Sequence, residues 1–180
     1  LGERPLAISN IIRSVSSAPF MIVMAFASTC SSLVSNQIGA GNIGCVQALV
    51  NKHIKLCACI VLPIIALIAL FPVPVLRIYT DIPQLVTASI PALLVLCSHY
   101  IVSIPGNIYF QSVSATGNTR AAFTLELGAL AAYIVYVFVL IIVLKADVAV
   151  CWTAEHLYAL YIGVASYIYL RKGKWREKRI

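Results

Sequence analysis

Long uncharged apolar runs alternate with short polar breaks along the chain, and the alternation predicts five membrane-crossing helices at about 14–38, 56–76, 85–114, 121–144 and 148–170. The second is the plainest: the 21 residues from Leu56 to Leu76 contain no Asp, Glu, Lys or Arg. At about 1.5 Å per residue that length crosses a hydrocarbon core of about 30 Å. Residues 1–13, with Glu3, Arg4 and Arg13, read as the end of a loop, and 44–55, with Lys52, His53 and Lys55, as a connection. Arg77, Tyr79 and Asp81 form a third break. Pro63, Pro91 and Pro105 are expected to kink their spans, because neighbouring helices can satisfy the carbonyl that a proline frees. Pro72 and Pro74 are expected to end the second span.

Two of the breaks are alike. Ser35-Asn36-Gln37-Ile38-Gly39-Ala40-Gly41-Asn42 and Ala115-Thr116-Gly117-Asn118-Thr119-Arg120 each close an uncharged run with a Gly-Asn pair, and the pairs lie 76 positions apart. Two spans fit between them, which places both turns on one face of the membrane. Gly39 and Gly41 suit the left-handed cap of a helix end. The first span is rich in Ser, Thr and Ala, residues that let membrane helices approach closely, so it is expected to pack inside the bundle.

Composition agrees: 61% of residues are hydrophobic and 11% charged, against about 25% charged in a soluble domain. A net charge of +7 can signal a nucleic-acid partner, but six of the thirteen Lys and Arg residues crowd into 171–180. A basic tail after an apolar span reads as a cytoplasmic anchor, with membrane lipid and not nucleic acid as its partner. With that tail inside, Lys52, Lys55 and Arg120 join it, nine basic residues against Arg4, Arg13, Arg77 and Lys145 outside. The six cysteines read as small core residues. Cys57 and Cys59, two apart on a helix, point to nearly opposite faces and do not make a metal pair.

Ionisable groups inside spans are costly and default to functional candidates. Glu126 and Glu155 lie about 9 Å and 12 Å in from opposite membrane edges, so about 9 Å apart along the normal. Neither has a basic residue at its own depth, and a carboxyl so placed can bind and release a proton. Cation or proton coupling is one reading; the other is a neutral acid holding helices together, with Glu126 near Tyr133, seven residues on and on the same face. Asn107, Gln111 and Ser114 form a polar stripe on the third span that serves either interhelical hydrogen bonding or a substrate path. A lone membrane histidine such as His99 reads as a core residue, and Glu155-His156, about 100° apart, is no ready ligand pair. No nucleophile with a base, metal-ligand helix motif or phosphate-binding glycine loop is present, so the sequence makes no case for an enzyme.

The two Gly-Asn turns, two spans apart after a Ser/Ala-rich span, resemble the C-terminal lobe of multidrug and toxic compound extrusion (MATE) transporters. Trp152-Thr153-Ala154-Glu155 at the start of the last span and Lys174-Trp175 in the tail are similar to bacterial members. The resemblance runs from Leu1 to Trp175. It implies twelve helices in two pseudo-symmetric lobes around a cavity, exporting cationic or amphipathic drugs against sodium or proton influx across a bacterial inner membrane, with no other cofactor. Matched in order, the five spans resemble helices eight to twelve. Residues 1–170 are then a partial C-terminal lobe, and the N-terminal lobe, a necessary partner, is expected to be missing from a chain that begins at Leu1 without methionine. Alternating access needs both halves, so this polypeptide alone is not expected to transport.

Family members often carry coupling carboxylates in helices one, seven and ten. The span matching helix ten has no Asp or Glu here, and Asn107 and Gln111 occupy that region. Glu126 and Glu155 fall on the matches of helices eleven and twelve, which leaves the coupling ion, Na+ or H+, open. A lipid-linked saccharide flippase of the same superfamily is the alternative, but its lumen needs several basic residues and these spans read as having none. A membrane enzyme using Glu126, Glu155 and His156 and a purely structural membrane subunit are further alternatives.

Overall fold

The computed structural model describes residues 3–172 and Trp175. Its α-helices are α1 (Glu3–Gly39), α2 (Val46–Leu70), α3 (Pro72–Arg77), α4 (Pro83–Ser114), α5 (Thr119–Phe138), α6 (Val148–Cys151) and α7 (Ala154–Lys172). A 3-10 turn, Ile43–Cys45, leads into α2, and a π-helical turn, Val139–Val143, extends α5. Among the described residues five helical stretches are long and apolar enough to cross a membrane: Glu3–Gly39, Ile43–Leu70, Pro83–Ser114, Thr119–Val143 and Val148–Lys172. The all-α, five-span architecture is as expected, but several boundaries move.

The first span starts at Glu3, not near 14, because Ile8, Ile11, Ile12 and Val15 continue the buried stripe of Pro19, Val23, Ala27, Cys30 and Val34 at helical spacing. The early charges that suggested a loop, Glu3, Arg4 and Arg13, are exposed on this helix and do not end it. The second span likewise starts at Val46 and not at 56. Nothing in 46–55 breaks a helix, Val46 and Val50 are buried, and exposed Lys52 and Lys55 ride on the outer face. It ends at Leu70, and Pro72, well suited to a first helical turn, opens the separate α3. Pro63, Pro91 and Pro105 lie inside unbroken helices. The last span is interrupted at Trp152 and Thr153 between α6 and α7. Of the 171–180 tail, Arg171 and Lys172 complete α7 and Trp175 is buried in the core; residues 173, 174 and 176–180 lie outside the described residues.

Helix α4 is the axis of the bundle. It packs against α1, α2 and α7, whereas α5 leans mainly on α7. Accordingly 44% of the most apolar window of α4 is buried, against 11% for the α5 span. Outward residues of α5 such as Phe123, Leu127, Ile134 and Phe138 are exposed, as suits a lipid-facing helix. Small residues bring α4 and α7 together: a Cβ on Gly106 would lie 2.9 Å from the Ala159 carbonyl oxygen, and one on Gly163 would lie 3.1 Å from the Gly106 Cα.

Both Gly-Asn turns have the expected handedness, with φ of 77° at Gly41 and 72° at Gly117. At the first turn the Gly41 amide donates to the Ile38 carbonyl at 3.0 Å and the Asn42 amide to the Gln37 carbonyl at 2.9 Å, a Schellman closure in which Gly39 is still helical. The Asn42 side chain also donates to Gln37 Oε1 at 3.2 Å. At the second turn the Asn118 side-chain Oδ1 accepts from the Ala121 amide at 3.3 Å, capping α5, while its Nδ2 donates to the Tyr169 hydroxyl at 2.9 Å. Ser35 Oγ donates to the Ala115 carbonyl at 3.2 Å, so the two turns sit side by side at one end of the bundle. Gly41→Ala is expected to cost about 1–2 kcal/mol, because its Cβ meets no neighbour and only the left-handed backbone opposes it. A thermal unfolding curve in detergent checks this; Gly39→Ala, in ordinary helical geometry, is the comparison that stays near wild type.

Candidate functional site

Helices α5 and α7 run antiparallel and exchange a pair of contacts. Tyr133 on α5 donates to Glu155 Oε1 on α7 at 3.2 Å, and Tyr158 on α7 donates to Glu126 Oε1 on α5 at 2.6 Å. The two tyrosine rings meet edge to face, 6.3 Å between centroids, and join the pairs into one group. A level further along, the Tyr136 hydroxyl and Thr153 Oγ1 lie 3.0 Å apart. The expected neighbourhood of Glu126 and Tyr133 is thereby corrected: they share a helix face, but each bonds across to α7.

Glu126 has one satisfied oxygen. Its Oε2 is buried and has no hydrogen-bond partner among the described residues. Glu126 lines a cavity of about 300 Å³ enclosed by α1, α4, α5 and α7, together with Asn107, Gln111, Glu155, Tyr158 and Met24. Four separately noted residues, Asn107, Gln111, Glu126 and Glu155, therefore border one space. Ser114 does not line it; its hydroxyl turns back to the Phe110 carbonyl at 3.4 Å. Asn107 Nδ2 also bonds within its own helix, to the Ser103 carbonyl at 2.9 Å and Ser103 Oγ at 3.0 Å.

Glu155 connects this cavity to two wider openings of about 340 and 330 Å³ that share Arg13 and Trp152. Tyr133 lines the first, and His99 and Tyr100 line the second. The Arg13 charge acts on the Glu155 carboxyl. That corrects the expectation that neither glutamate has a basic residue at its depth: the early start of α1 places Arg13, itself exposed, at the two openings that Glu155 also lines. His99 and His156 also meet, edge to face at 5.5 Å, and His156 Nε2 lies 2.9 Å from Ser98 Oγ. Tyr100 fastens α4 to α1, donating to the Ser16 carbonyl at 2.9 Å.

Beside the His99 ring and apolar groups such as Phe20 and Phe110, the inner cavity is lined by oxygen donors from two carboxyls, a phenol, the Ser103 hydroxyl and two amide side chains. Such hard donors suit a proton or an alkali cation better than a soft metal. The turn residues Gln37, Gly39, Gly41, Asn42, Gly117 and Asn118 stand apart at the end of the bundle and shape the helix reversals. Sequence reasoning missed Tyr158 and Arg13. Tyr158 is three residues after Glu155, so its proximity to that face was legible, but its pairing with Glu126 depends on how α5 and α7 register.

The MatE family model matches residues 1–139, which takes in α1 to α5. Neither the curated proteins nor the solved structures supply a match. A matching family over most of the chain and five apolar spans lead to one conclusion: the chain is an integral membrane protein and belongs to the MatE family of transporters.

Proposed function

We propose that this chain forms the C-terminal lobe of a cation- or proton-coupled antiporter that exports cationic or amphipathic compounds, and that its coupling ion binds in the cavity between α1, α4, α5 and α7. In this reading Glu126 and Glu155 take up and release the ion, and Tyr158 and Tyr133 hold the two carboxyls in place. Of the α4 stripe, Asn107 and Gln111 serve the substrate path where it meets this cavity, and Ser114, bonded to its own helix, stands outside it. The observation that carries the reading is Glu126 Oε2, buried without a partner while Tyr158 holds the other oxygen. A carboxyl so placed is costly unless it carries a proton or meets a cation. Glu155, shared by the inner cavity and both Arg13-lined openings, supplies a route for the ion.

The five spans take the places of helices eight to twelve, and an N-terminal lobe supplies the facing half for alternating access. The Gly41 and Gly117 end, near Lys52, Lys55, Arg120, Arg171 and Lys172, faces the cytoplasm of a bacterial cell. A flippase for pyrophosphate-linked saccharides is less well supported. Among the described residues lining the three openings Arg13 is the only arginine or lysine, and it already acts on Glu155.

The test is counterflow of a fluorescent cationic dye in vesicles holding the full-length transporter, under an imposed sodium or proton gradient. One gradient is expected to drive the dye, and Glu155→Gln to remove that drive. Tyr133→Phe deletes a hydrogen bond worth about 1–3 kcal/mol to a charged group, and is expected to shift the half-saturating ion concentration roughly tenfold. Unchanged ion dependence with a lower protein yield in Glu155→Gln would mean that the carboxyl only holds helices together.

A further inference from the structure

A second concavity lies on the other side of the α4–α7 contact. Where Gly106 and Gly163 lack side chains, a groove of about 200 Å³ runs between the helices, walled by Ile101, Pro105, Leu160 and Val164. Ile101 is 65% exposed and Val164 57%, so the groove opens outward toward lipid. Among the described residues Tyr109 supplies the only side-chain polar atom of its lining.

Along both helices the groove leads to one polar cluster at the Gly41 and Gly117 end. Tyr109 follows Pro105 by one turn of α4, and Tyr167 and Arg171 follow Gly163 at four-residue steps on α7. The rings of Tyr109 and Tyr167 meet edge to face at 5.3 Å, and the Arg171 guanidinium sits 5.3 Å over the Tyr167 ring. The Arg171 charge reaches the Tyr109 hydroxyl. From α2, Asn51 Oδ1 accepts the Tyr109 hydroxyl at 2.8 Å, and Gln47 Nε2 donates to Asn51 at 3.2 Å and to Tyr109 at 3.5 Å. Gln47 Oε1 is buried with no hydrogen-bond partner among the described residues.

We infer that this groove binds one anionic phospholipid, an acyl chain lying over Gly106 and Gly163 and the phosphate on Arg171. An arginine stacked on an aromatic face keeps its in-plane donors for a phosphate. From Gly163 to Arg171 is about 12 Å along the helix, close to the depth of one leaflet's hydrocarbon, so chain and head group fall at their natural levels. A soluble anion has no use for the apolar groove, and a zwitterionic lipid would set its own cation against Arg171. The site is separate from the ion cavity and stands whichever ion that cavity takes.

Native mass spectrometry of the full-length protein, released from nanodiscs of equal phosphatidylglycerol and phosphatidylcholine, tests this. Wild type is expected to retain phosphatidylglycerol in preference. Arg171→Gln should lower that retention roughly fivefold, the effect of one basic contact with an anionic head group, and Arg171→Lys should restore part of it. Val164→Phe fills the groove from its exposed side, away from the Gly106–Gly163 contact, and should lower retention with an unchanged melting temperature. Arg120→Gln, at the same end but on α5, should leave it unchanged. Equal retention of the two lipids, an equal loss in Arg120→Gln, or a second protein copy covering the groove in place of lipid would overturn the inference.

Discussion

Glu126→Gln is expected to lower gradient-driven export by roughly 100-fold, the order that follows removal of a positioned proton-transfer group, with little change in protein yield. The argument rests on what glutamine keeps. Its carbonyl oxygen can accept the Tyr158 hydroxyl as Glu126 Oε1 does at 2.6 Å, so the α5–α7 contact persists. The amide nitrogen then replaces Oε2, the atom with no partner, and cannot carry a titrating proton or bind a cation. Tyr158→Phe makes the complementary change: the carboxyl stays but loses its held orientation, and a smaller loss is expected, because the ion site is intact. Dye export and melting temperature measured on both variants separate the roles. If Glu126→Gln lowers the melting temperature and leaves coupling alone, Glu126 is a structural acid and the ion site lies elsewhere.

Gly106→Val is expected to destabilise the bundle by about 3 kcal/mol, at the upper end of overpacking costs. A Cβ alone would sit 2.9 Å from the Ala159 carbonyl oxygen and 3.6 Å from Ile162 Cγ2. The first neighbour is backbone and cannot rotate away, so α4 and α7 must separate. Valine adds two methyl groups to that clash. Since α4 is the helix on which α1, α2 and α7 converge, a displaced α7 also strains the His99–His156 contact and the approach of Glu155 to the cavity. Gly106→Ala should show a smaller loss in the same direction, and Gly44→Ala, with nothing within 4 Å of its Cβ, should show almost none. A detergent-resistant melting temperature unchanged in Gly106→Val would contradict the close approach of these helices.

Much of the architecture was legible in the chain itself. Backbone polar groups in hydrocarbon must be satisfied within their own segment, so each long uncharged run has to be a helix, and five runs make five spans. Left-handed turns that glycine adopts without cost mark the reversals at Gly41 and Gly117. Opposite placement of Cys57, buried, and Cys59, exposed, follows from helical geometry alone. Helix starts were less legible. The charges at Arg13 and at Lys52 to Lys55 suggest loops that precede a helix, although a long basic side chain can ride on a helix that has already begun.

The sequence by itself therefore determined the phase in which this protein lives, the number of its spans, the place of its turns and the residues with chemistry to offer. Which of those residues meet was decided only by tertiary packing. Glu126 lies 32 positions from Tyr158 and 22 positions separate Tyr133 from Glu155, and no local pattern sets the register in which α5 passes α7. That register follows from the shapes that interlock along the bundle. The packing of α4 against α1 and α7 in turn brings Arg13, Asn107 and Gln111 to the openings and cavity around the two carboxyls.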